Sequence, residues 1–295
     1  AALKTLMDTL TPPAPTTPAF DEARLIELIE QYSNPITTVR VETLDKPTVD
    51  IKGAHKALPR VISRLKLGIN IYLYGPAGAG KTTLAVQCAE ALSIPFYSTG
   101  AIMQKYELTG FINAAGDYVT TTFYEAYKNG GVFLFDEIDA SIPSAPVAFN
   151  QAIENGRYTF PCGEVYMHPD FRVIAAANTA GTGATGQYKR QALDGATLDR
   201  FSRIKLAYDV KLERRLALEA FTRAGGVDNT LAAAWVDTVQ QVRAKAEKLG
   251  LDVIISPRSS TRGCSILGIG ASEKEAIEET FGPSLSTDQL KQLGL

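Results

Sequence analysis

Short apolar runs alternate with longer mixed stretches through the middle of the chain. Five of the runs have the length of β-strands: "NIYLY", "PFYST", "GVFLF", "FRVIAAA" and "SRIKLAY". "GVFLF" is almost wholly apolar, as expected for a strand covered on both faces. The stretch from about Lys81 to Leu92 is predicted to be a helix. Strands that alternate with helices in this way predict a parallel sheet flanked by helices, an α/β fold.

Two stretches interrupt this alternation and predict inserted hairpins. They are "GFINAAGDYVTTTF" and "GRYTFPCGEVYMH", and each has turn residues between β-prone flanks. Ahead of the first strand, "HKALPRVISRLKLG" predicts a helix that ends at Gly68. The weak alternation around Ile36 to Ile51 predicts one or two short edge strands.

The two ends of the chain have different patterns from its middle. "TLTPPAPTTPAF" is rich in Pro and Thr and predicts a flexible arm, and "FDEARLIELIEQY" after it has helical spacing. After Tyr208 the pattern is helical. We therefore expect a flexible arm over 1–20, an α/β domain over 21–207 and a smaller helical lid domain over 208–295.

Composition and charge narrow the class of protein. A hydrophobic content of 45% and a charged content of 21% are ordinary for a soluble globular protein. The net charge of −2 gives no bulk attraction to nucleic acid or to an anionic membrane. The sequence has no apolar run long enough to span a membrane and no signal-peptide core. Its three cysteines are far apart, which indicates reduced, structural thiols and a cytoplasmic protein.

The segment "GPAGAGKT", from Gly75 to Thr82, fits the phosphate-binding pattern G-x-x-x-x-G-K-[ST]. It lies between a predicted strand and a predicted helix, where the glycines let backbone N–H groups wrap around an anion. Lys81 supplies a charge for the phosphates, and the Thr82 hydroxyl is suited to bind Mg²⁺. The predicted nucleotide-binding residues are Gly75, Pro76, Ala77, Gly78, Ala79, Gly80, Lys81, Thr82 and Thr83.

Two further strands end in polar residues. "VFLFDEID" places Asp136 at the end of an apolar strand, where a carboxylate can hold Mg²⁺. Glu137 beside it is suited to polarise a water for attack on a γ-phosphate. "VIAAAN" ends in Asn178, whose amide is suited to orient that water or the phosphate. The predicted metal residues are therefore Thr82 and Asp136, with Glu137 and Asn178 as catalytic residues.

In this order the motifs resemble those of the AAA+ ATPases. "GPAGAGKT", "FLFDEID", "AAAN" and "LDGATLDRF" are similar to Walker A, Walker B, sensor 1 and the arginine-finger region. The two hairpins are similar to those of the dynein-related, MoxR-like group, and "HPDFRVIAAANTAGTG" especially resembles the cobalt-chelatase ATPase subunit (CobS). "SPR" at Ser256–Arg258 resembles sensor 2 in the helical lid. The resemblance covers roughly Ile51 to Gly270.

The resemblance implies an ATP-driven ring, commonly a hexamer, with each site at a subunit interface. It implies ATP and Mg²⁺ as cofactors. Arg200 would be the finger that reaches a neighbour's γ-phosphate, with Arg203 as the rival. Arg258 would contact phosphate within its own chain, with Arg262 as the fallback. The adenine pocket would lie near Ile51–His55.

We expect a ring-forming ATPase that remodels a protein partner, with its client or adaptor on a separate chain. A nucleic-acid-directed motor is an alternative, since both hairpins also occur in DNA-handling relatives. A monomeric P-loop kinase is the third candidate. The aromatic residues Phe111, Tyr118 and Tyr124, in or beside the first hairpin, fit either contact with a client in the pore of the ring or packing within the domain.

Overall fold

The structure is a computed structural model that describes residues 38–43 and 46–295. The predicted arm over 1–20 and the predicted helix of "FDEARLIELIEQY" lie outside the described residues. The described strands, in chain order, are β1 (Thr38–Thr43), β2 (Lys46–Lys52), β3 (Ile71–Tyr74), β4 (Phe96–Thr99), β5 (Phe111–Ile112), β6 (Tyr118–Val119), β7 (Gly131–Phe135), β8 (Arg157–Phe160), β9 (Gly163–Tyr166), β10 (Phe171–Ala177) and β11 (Ser202–Lys205).

Helices connect and follow these strands. They are α1 (Leu58–Lys66), α2 (Lys81–Leu92), α3 (Lys105–Thr109), α4 (Thr122–Asn129), α5 (Ser144–Asn155), α6 (Gly195–Asp199), α7 (Val210–Arg223), α8 (Asn229–Lys248), α9 (Pro257–Gly268), α10 (Glu273–Glu278) and α11 (Thr287–Leu293). Short 3₁₀ turns span Ile138–Ala140 and Gly282–Ser284. None of the described helices combines the length and apolarity that crossing a membrane requires.

The five predicted strands form one parallel sheet in the order β11-β3-β10-β7-β4. β10 pairs with β3 on one side and with β7 on the other, so its carboxyl end lies between theirs. The crossovers between parallel strands run through helices, as the α/β pattern predicts. The predicted fold class is confirmed, and the ends of β3, β7 and β10 meet at one edge of the sheet.

Apolar side chains cover both faces of this sheet. Along β7, Val132 and Leu134 pack on the side that carries α1 and α2, whereas Phe133 and Phe135 pack on the opposite side. The alternation follows from the two-residue period of a strand. Phe123 of α4 lies in the second layer, with its ring 5.1 Å from that of Phe133. Burial on both faces explains the apolar "GVFLF" sequence.

Both predicted hairpins form, and each is a two-stranded antiparallel sheet. β5 pairs with β6, and β8 pairs with β9. Two short strands form around Ile36–Ile51, as predicted, and β1 and β2 pair with each other in a sheet separate from the main one. Val41 and Ile51 of this pair are buried in the same apolar layer as α1. Their burial fixes the pair against that layer, off the edge of the main sheet.

The chain after Tyr208 is helical and has an apolar core of its own. Trp235 of α8 is buried and stacks on Phe281, with ring centroids 6.1 Å apart. A buried ion pair joins Glu213 of α7 to Arg243 of α8, and the Ser260 hydroxyl of α9 donates to the same carboxylate. The three longest helices of this region therefore share both apolar and charged contacts. The boundary at 207/208 itself stays a prediction.

Replacement of Gly263 should test the packing of these helices. A Cβ at this position would overlap the indole ring of Trp235. We expect Gly263→Ala to lower the melting temperature by about 2–8 °C, because overpacking outweighs the gain in helix propensity. Gly195→Ala is the matched control, since a Cβ there meets open space. Equal melting temperatures for the two variants would contradict this packing.

Candidate functional site

The loop Gly75–Thr82 leads from β3 into α2 and presents free backbone donors. Gly80 is the residue before the helix and has φ of +86°, a left-handed conformation that glycine adopts without strain. Within the part of the chain that the structure describes, no protein oxygen accepts from the N–H groups of Gly80, Lys81 or Thr82. Unpaired N–H groups at a helix N-terminus attract anions.

The Lys81 side chain is buried and joins the loop Gly75–Thr82 to the end of β10. Its Nζ donates to the carbonyl oxygens of Gly75 at 2.8 Å and Pro76 at 3.1 Å. It also donates to Oδ1 of Asn178 at 2.9 Å, at the end of β10. Burial lowers the pKa of Lys81 to about 8, against the opposing effect of Asp136. A desolvated cation of this kind favours an anionic ligand.

Thr82 and Asp136 lie side by side across the strand ends. The Thr82 hydroxyl donates to Oδ2 of Asp136 at 2.8 Å, and the Glu137 N–H donates to Oδ1 at 3.0 Å. A hydroxyl and a carboxylate are oxygen ligands of the type that Mg²⁺ takes together with phosphate oxygens. The residues present therefore fit a magnesium ion that is shared with a bound nucleotide.

Glu137 has an unusual backbone and a charged neighbour. Its φ of +52° is left-handed, which is rare for a residue other than glycine. Its Oε1 accepts from Nη2 of Arg190 at 3.0 Å. Nε of the same guanidinium lies 3.3 Å from Oδ1 of Asp139, a fully buried carboxylate. Thr179 donates to the other oxygen of Asp139 at 2.9 Å.

Sequence reasoning did not single out Arg190, Asp139 or Thr179. Burial raises the pKa of the Asp139 carboxyl, while the Thr179 hydrogen bond and the Arg190 charge act in the opposite direction. Asp139 is the third acid of "DEID", and Thr179 directly follows Asn178. Their positions beside these two motifs are the feature of the sequence from which Asp139 and Thr179 could have been predicted. The loop before α6 gives no such signal for Arg190.

Two tyrosine hydroxyls hold the Ala77 peptide of the loop. Tyr208 donates to the Ala77 carbonyl oxygen at 2.9 Å, and the Ala77 N–H donates to the Tyr188 hydroxyl at 2.9 Å. Burial raises the pKa of Tyr208 to about 12, so its hydroxyl stays a donor at neutral pH. The Arg243 guanidinium lies 4.5 Å from the centroid of the Tyr208 ring. The loop Gly75–Thr82 is thus tied to the helical region by a contact that the sequence did not reveal.

A cleft of roughly 570 Å³ brings most of the predicted site residues together. Its walls include Asp136, Glu137 and Asn178. Arg258 and Arg262, from the first turns of α9, line the same cleft. The loop residues that line it are Ala77, Gly78, Ala79, Gly80, Lys81, Thr82 and Thr83. Gly75 and Pro76 reach the site through the carbonyl oxygens that hold Lys81.

A second cavity of roughly 270 Å³ shares Gly78 and Thr83 with the cleft, and His55 and Leu212 are among its other lining residues. The His55 ring is occupied by the backbone, since Nε2 donates to the Ala207 carbonyl at 3.2 Å and Nδ1 accepts from the Ala57 N–H at 3.0 Å. These contacts favour packing over base recognition for His55.

Arg200 and Arg203 are not among the residues that line the cleft of their own chain. Arg200 follows α6 and forms an ion pair with Glu154 of α5, with Nε 2.8 Å from Oε2. Arg203 lies on β11 and is exposed. The structure therefore brings Arg258 and Arg262 to the phosphate loop and leaves the other two arginines elsewhere on the chain.

The aromatic residues of the first hairpin divide into two groups. Tyr118 and Tyr124 pack edge to face at 4.9 Å, and the Tyr118 hydroxyl donates to the Thr109 carbonyl. Tyr124 is buried, whereas Phe111 is 43% exposed beside the exposed Ile112. Packing within the domain therefore accounts for the two tyrosines, and Phe111 is left on the surface.

Residues 70–201 match the model of the AAA domain (dynein-related subfamily). A segment of 55 residues is 44% identical to cytidylate kinase of Nitratidesulfovibrio vulgaris, over 19% of this chain and 20% of that protein. The ATP complex of NtrX from Brucella abortus has a TM-score of 0.53 at 15% identity, with 90% of this chain and 58% of that chain covered. A mutant of RuvB from Thermotoga maritima has a TM-score of 0.48 at 20% identity, with 81% and 66% covered.

Residues 70–201 are thus similar to an AAA domain of the dynein-related subfamily. The chain shares with NtrX the fold of a five-stranded parallel sheet flanked by helices, followed by a helical C-terminal portion. P-loop folds of this type bind nucleotide. The chain spans about a fifth of the cytidylate kinase and less than two thirds of NtrX and RuvB.

The Tyr208 contact gives a prediction for nucleotide affinity. Tyr208→Phe removes the hydrogen bond to Ala77 and keeps the ring against Arg243. We expect the Kd for ATP to rise about threefold to tenfold, since one net hydrogen bond is lost. Tyr166→Phe, at a ring that is 68% exposed, is the control. If both variants have the wild-type Kd for ATP in a fluorescence titration, the Tyr208 hydrogen bond does not contribute to nucleotide binding.

Proposed function

We propose that the protein is an ATP-hydrolysing AAA+ motor that assembles as a ring and remodels a protein partner. One observation carries the first part of this proposal. Lys81, Thr82, Asp136, Glu137 and Asn178 converge on a single cleft from three different elements. This set contains a phosphate-binding cation, oxygen ligands for a metal, and a carboxylate that can accept a proton.

The cleft accommodates the phosphates, and the adjoining cavity accommodates the base. Free N–H groups at the start of α2 and the Lys81 ammonium would bind the β- and γ-phosphates. Thr82 and Asp136 would hold Mg²⁺, which neutralises charge on the phosphates. The second cavity would take adenine against apolar groups such as Leu212 and Leu216. The complex of NtrX with ATP is consistent with this choice of nucleotide.

Hydrolysis in this cleft assigns a role to each polar group. Glu137 accepts the proton of the attacking water, whose oxygen bonds to the γ-phosphorus while the bond to the bridging oxygen breaks. ADP leaves with that oxygen. Asn178, already in contact with Lys81, orients the γ-phosphate or the water. Arg258 contacts the phosphates from the helical lid, and Arg262 is the second candidate for that contact.

A neighbouring subunit would complete the site with Arg200. The proposal is supported by the position of Arg200 away from the cleft of its own chain, where Glu154 holds it. To reach a neighbour's γ-phosphate, Arg200 must leave this carboxylate. An arginine finger of this kind raises the rate by about 10³–10⁵-fold in related phosphoryl-transfer enzymes. Arg203, exposed on β11, is the rival residue.

A protein client is favoured by charge and by an exposed hairpin. The net charge of −2 gives little attraction to nucleic acid, and Phe111 and Ile112 expose apolar surface on the first hairpin. This is the remodelling role that the MoxR-like and CobS-like resemblance implies. ATPase activity that rises with added DNA and falls with salt would instead favour a nucleic-acid-directed motor.

The local similarity to cytidylate kinase supports a second candidate, phosphorylation of a nucleoside monophosphate. It covers a fifth of that protein, whereas the AAA domain match covers 70–201. Formation of CDP from CMP and ATP by the purified chain would favour the kinase over the motor.

A subunit-mixing experiment tests the proposal. Glu137→Gln should bind ATP and hardly hydrolyse it, and Arg200→Ala should lose most of its turnover. Because each intact site needs Glu137 from one subunit and Arg200 from the next, mixed rings should recover part of the wild-type rate. A parallel mixture with Arg203→Ala identifies the finger. No recovery in rings shown to be mixed would contradict the shared site, as would a specific activity that is constant down to monomeric dilution.

A further inference from the structure

Among the described residues of the chain, one cation pairs with the Glu137 carboxylate. Nη2 of Arg190 donates to Oε1 at 3.0 Å, and the Arg190 side chain is only 17% exposed while that of Glu137 is 49% exposed. Arg190 lies in the loop between β10 and α6, 53 residues away in sequence from Glu137. The fold therefore brings the two residues together, and no local motif predicts the contact.

The Arg190 guanidinium also contacts a second carboxylate, that of Asp139. Its Nε lies 3.3 Å from Oδ1 of Asp139, whose side chain is fully buried, in an ion pair that lacks hydrogen-bond geometry. Asp139 is in turn fixed by the Thr179 hydroxyl, and its backbone carbonyl accepts from the Gln191 N–H at 2.8 Å. Because a guanidinium is planar and rigid, attraction of Nε to this carboxylate also restrains the direction in which Nη2 points. The ion pair thus restrains the position in which Arg190 holds Glu137.

The contact leaves one oxygen of the carboxylate available. Among the residues that the structure describes, no side chain or backbone group donates to Oε2 of Glu137. The left-handed backbone of Glu137, with φ of +52°, also restricts the rotamers that its side chain can adopt. A base that is held by one oxygen keeps the other for a water molecule.

We propose that Arg190 is a positioning residue for Glu137. Anchored on Asp139, it holds Oε1 so that Oε2 is the oxygen that takes the proton of the attacking water. The same chain of contacts continues through Thr179 to the end of β10, where Asn178 contacts Lys81. Arg190 thereby ties the base to the strand that carries the phosphate-facing amide. The inference rests on the proposed role of Glu137 in ATP hydrolysis.

The kinetics of Arg190→Ala test this role. A base displaced by about 1 Å loses about tenfold to hundredfold in rate, so kcat should fall by that factor. The KM for ATP and the Kd of a fluorescent ATP analogue should change less than about threefold, because Arg190 is not among the residues that line the cleft. Arg190→Lys should lose part of kcat, since one ammonium cannot reproduce a planar bridge between two carboxylates.

Two further variants separate positioning from stability. Arg190→Ala leaves Asp139 buried without its cation, so Arg190→Ala combined with Asp139→Asn should restore the melting temperature and leave kcat low. Arg214→Ala is the matched control, because Arg214 is 19% exposed and pairs with Asp237 on the helical lid, outside both cavities. It should keep the wild-type kcat. Recovery of kcat together with melting temperature in the double variant would overturn the proposal.

The decisive comparison is made in the Glu137→Gln background, by single-turnover hydrolysis. If Arg190 acts through Glu137, then adding Arg190→Ala to Glu137→Gln should lower the single-turnover rate of hydrolysis less than twofold. A slowing as large as in the wild type would overturn the positioning role, as would an unchanged or raised kcat in Arg190→Ala alone. A wild-type chain without ATPase activity, or a Glu137→Gln variant with normal turnover, would overturn the proposed function itself.

Discussion

The burial of the Lys81 ammonium is the constraint on which the rest of the site depends. Its Nζ satisfies Gly75, Pro76 and Asn178 at once, so the turn after β3 and the end of β10 are held together by one cation. Burial lowers the pKa of this group to about 8, although the charge of Asp136 opposes the shift. An anion beside the ammonium would offset the effect of burial, so this arrangement favours an anionic ligand in the cleft.

The helical region is joined to this arrangement at several points. Arg258 and Arg262 reach the cleft from the first turns of α9, and Tyr208 links the Ala77 carbonyl to Arg243 of α8. Arg243 is also paired with the buried Glu213 of α7. A change in the conformation of the loop Gly75–Thr82 would therefore alter the contacts between α7, α8 and α9. A ligand bound at the loop Gly75–Thr82 would therefore affect the packing of this helical region.

The elements with strong local signals could be predicted from the sequence. Helix α2 spans Lys81–Leu92 and β7 spans Gly131–Phe135, as predicted, because a glycine loop and a wholly apolar run fix their ends. Turn residues likewise revealed the two hairpins. The pairing of β1 with β2 could not be predicted, since a weak alternation in sequence does not say which strand lies beside it.

Contacts between distant residues account for what the sequence did not reveal at the site. The Arg190–Glu137 pair spans 53 residues, and the Tyr208–Ala77 hydrogen bond spans 131. Neither Arg190 nor Tyr208 has a periodicity or motif around it. His55 shows the converse, because both of its ring nitrogens contact the backbone although it lies in the segment where the adenine pocket was expected. The motif residues could therefore be predicted from the sequence, whereas the residues that hold them in place, Arg190 and Tyr208, were found only in the structure.

We expect the cation buried at Lys81 to make this cleft a site for Mg·ATP. Isothermal titration calorimetry of the wild type and of Lys81→Met measures this contribution. The wild type should bind one ATP per chain, and Lys81→Met should lose more than about tenfold in affinity, since a charge-assisted contact to phosphate is removed. Equal affinity in the two proteins, or no binding in the wild type, would contradict it.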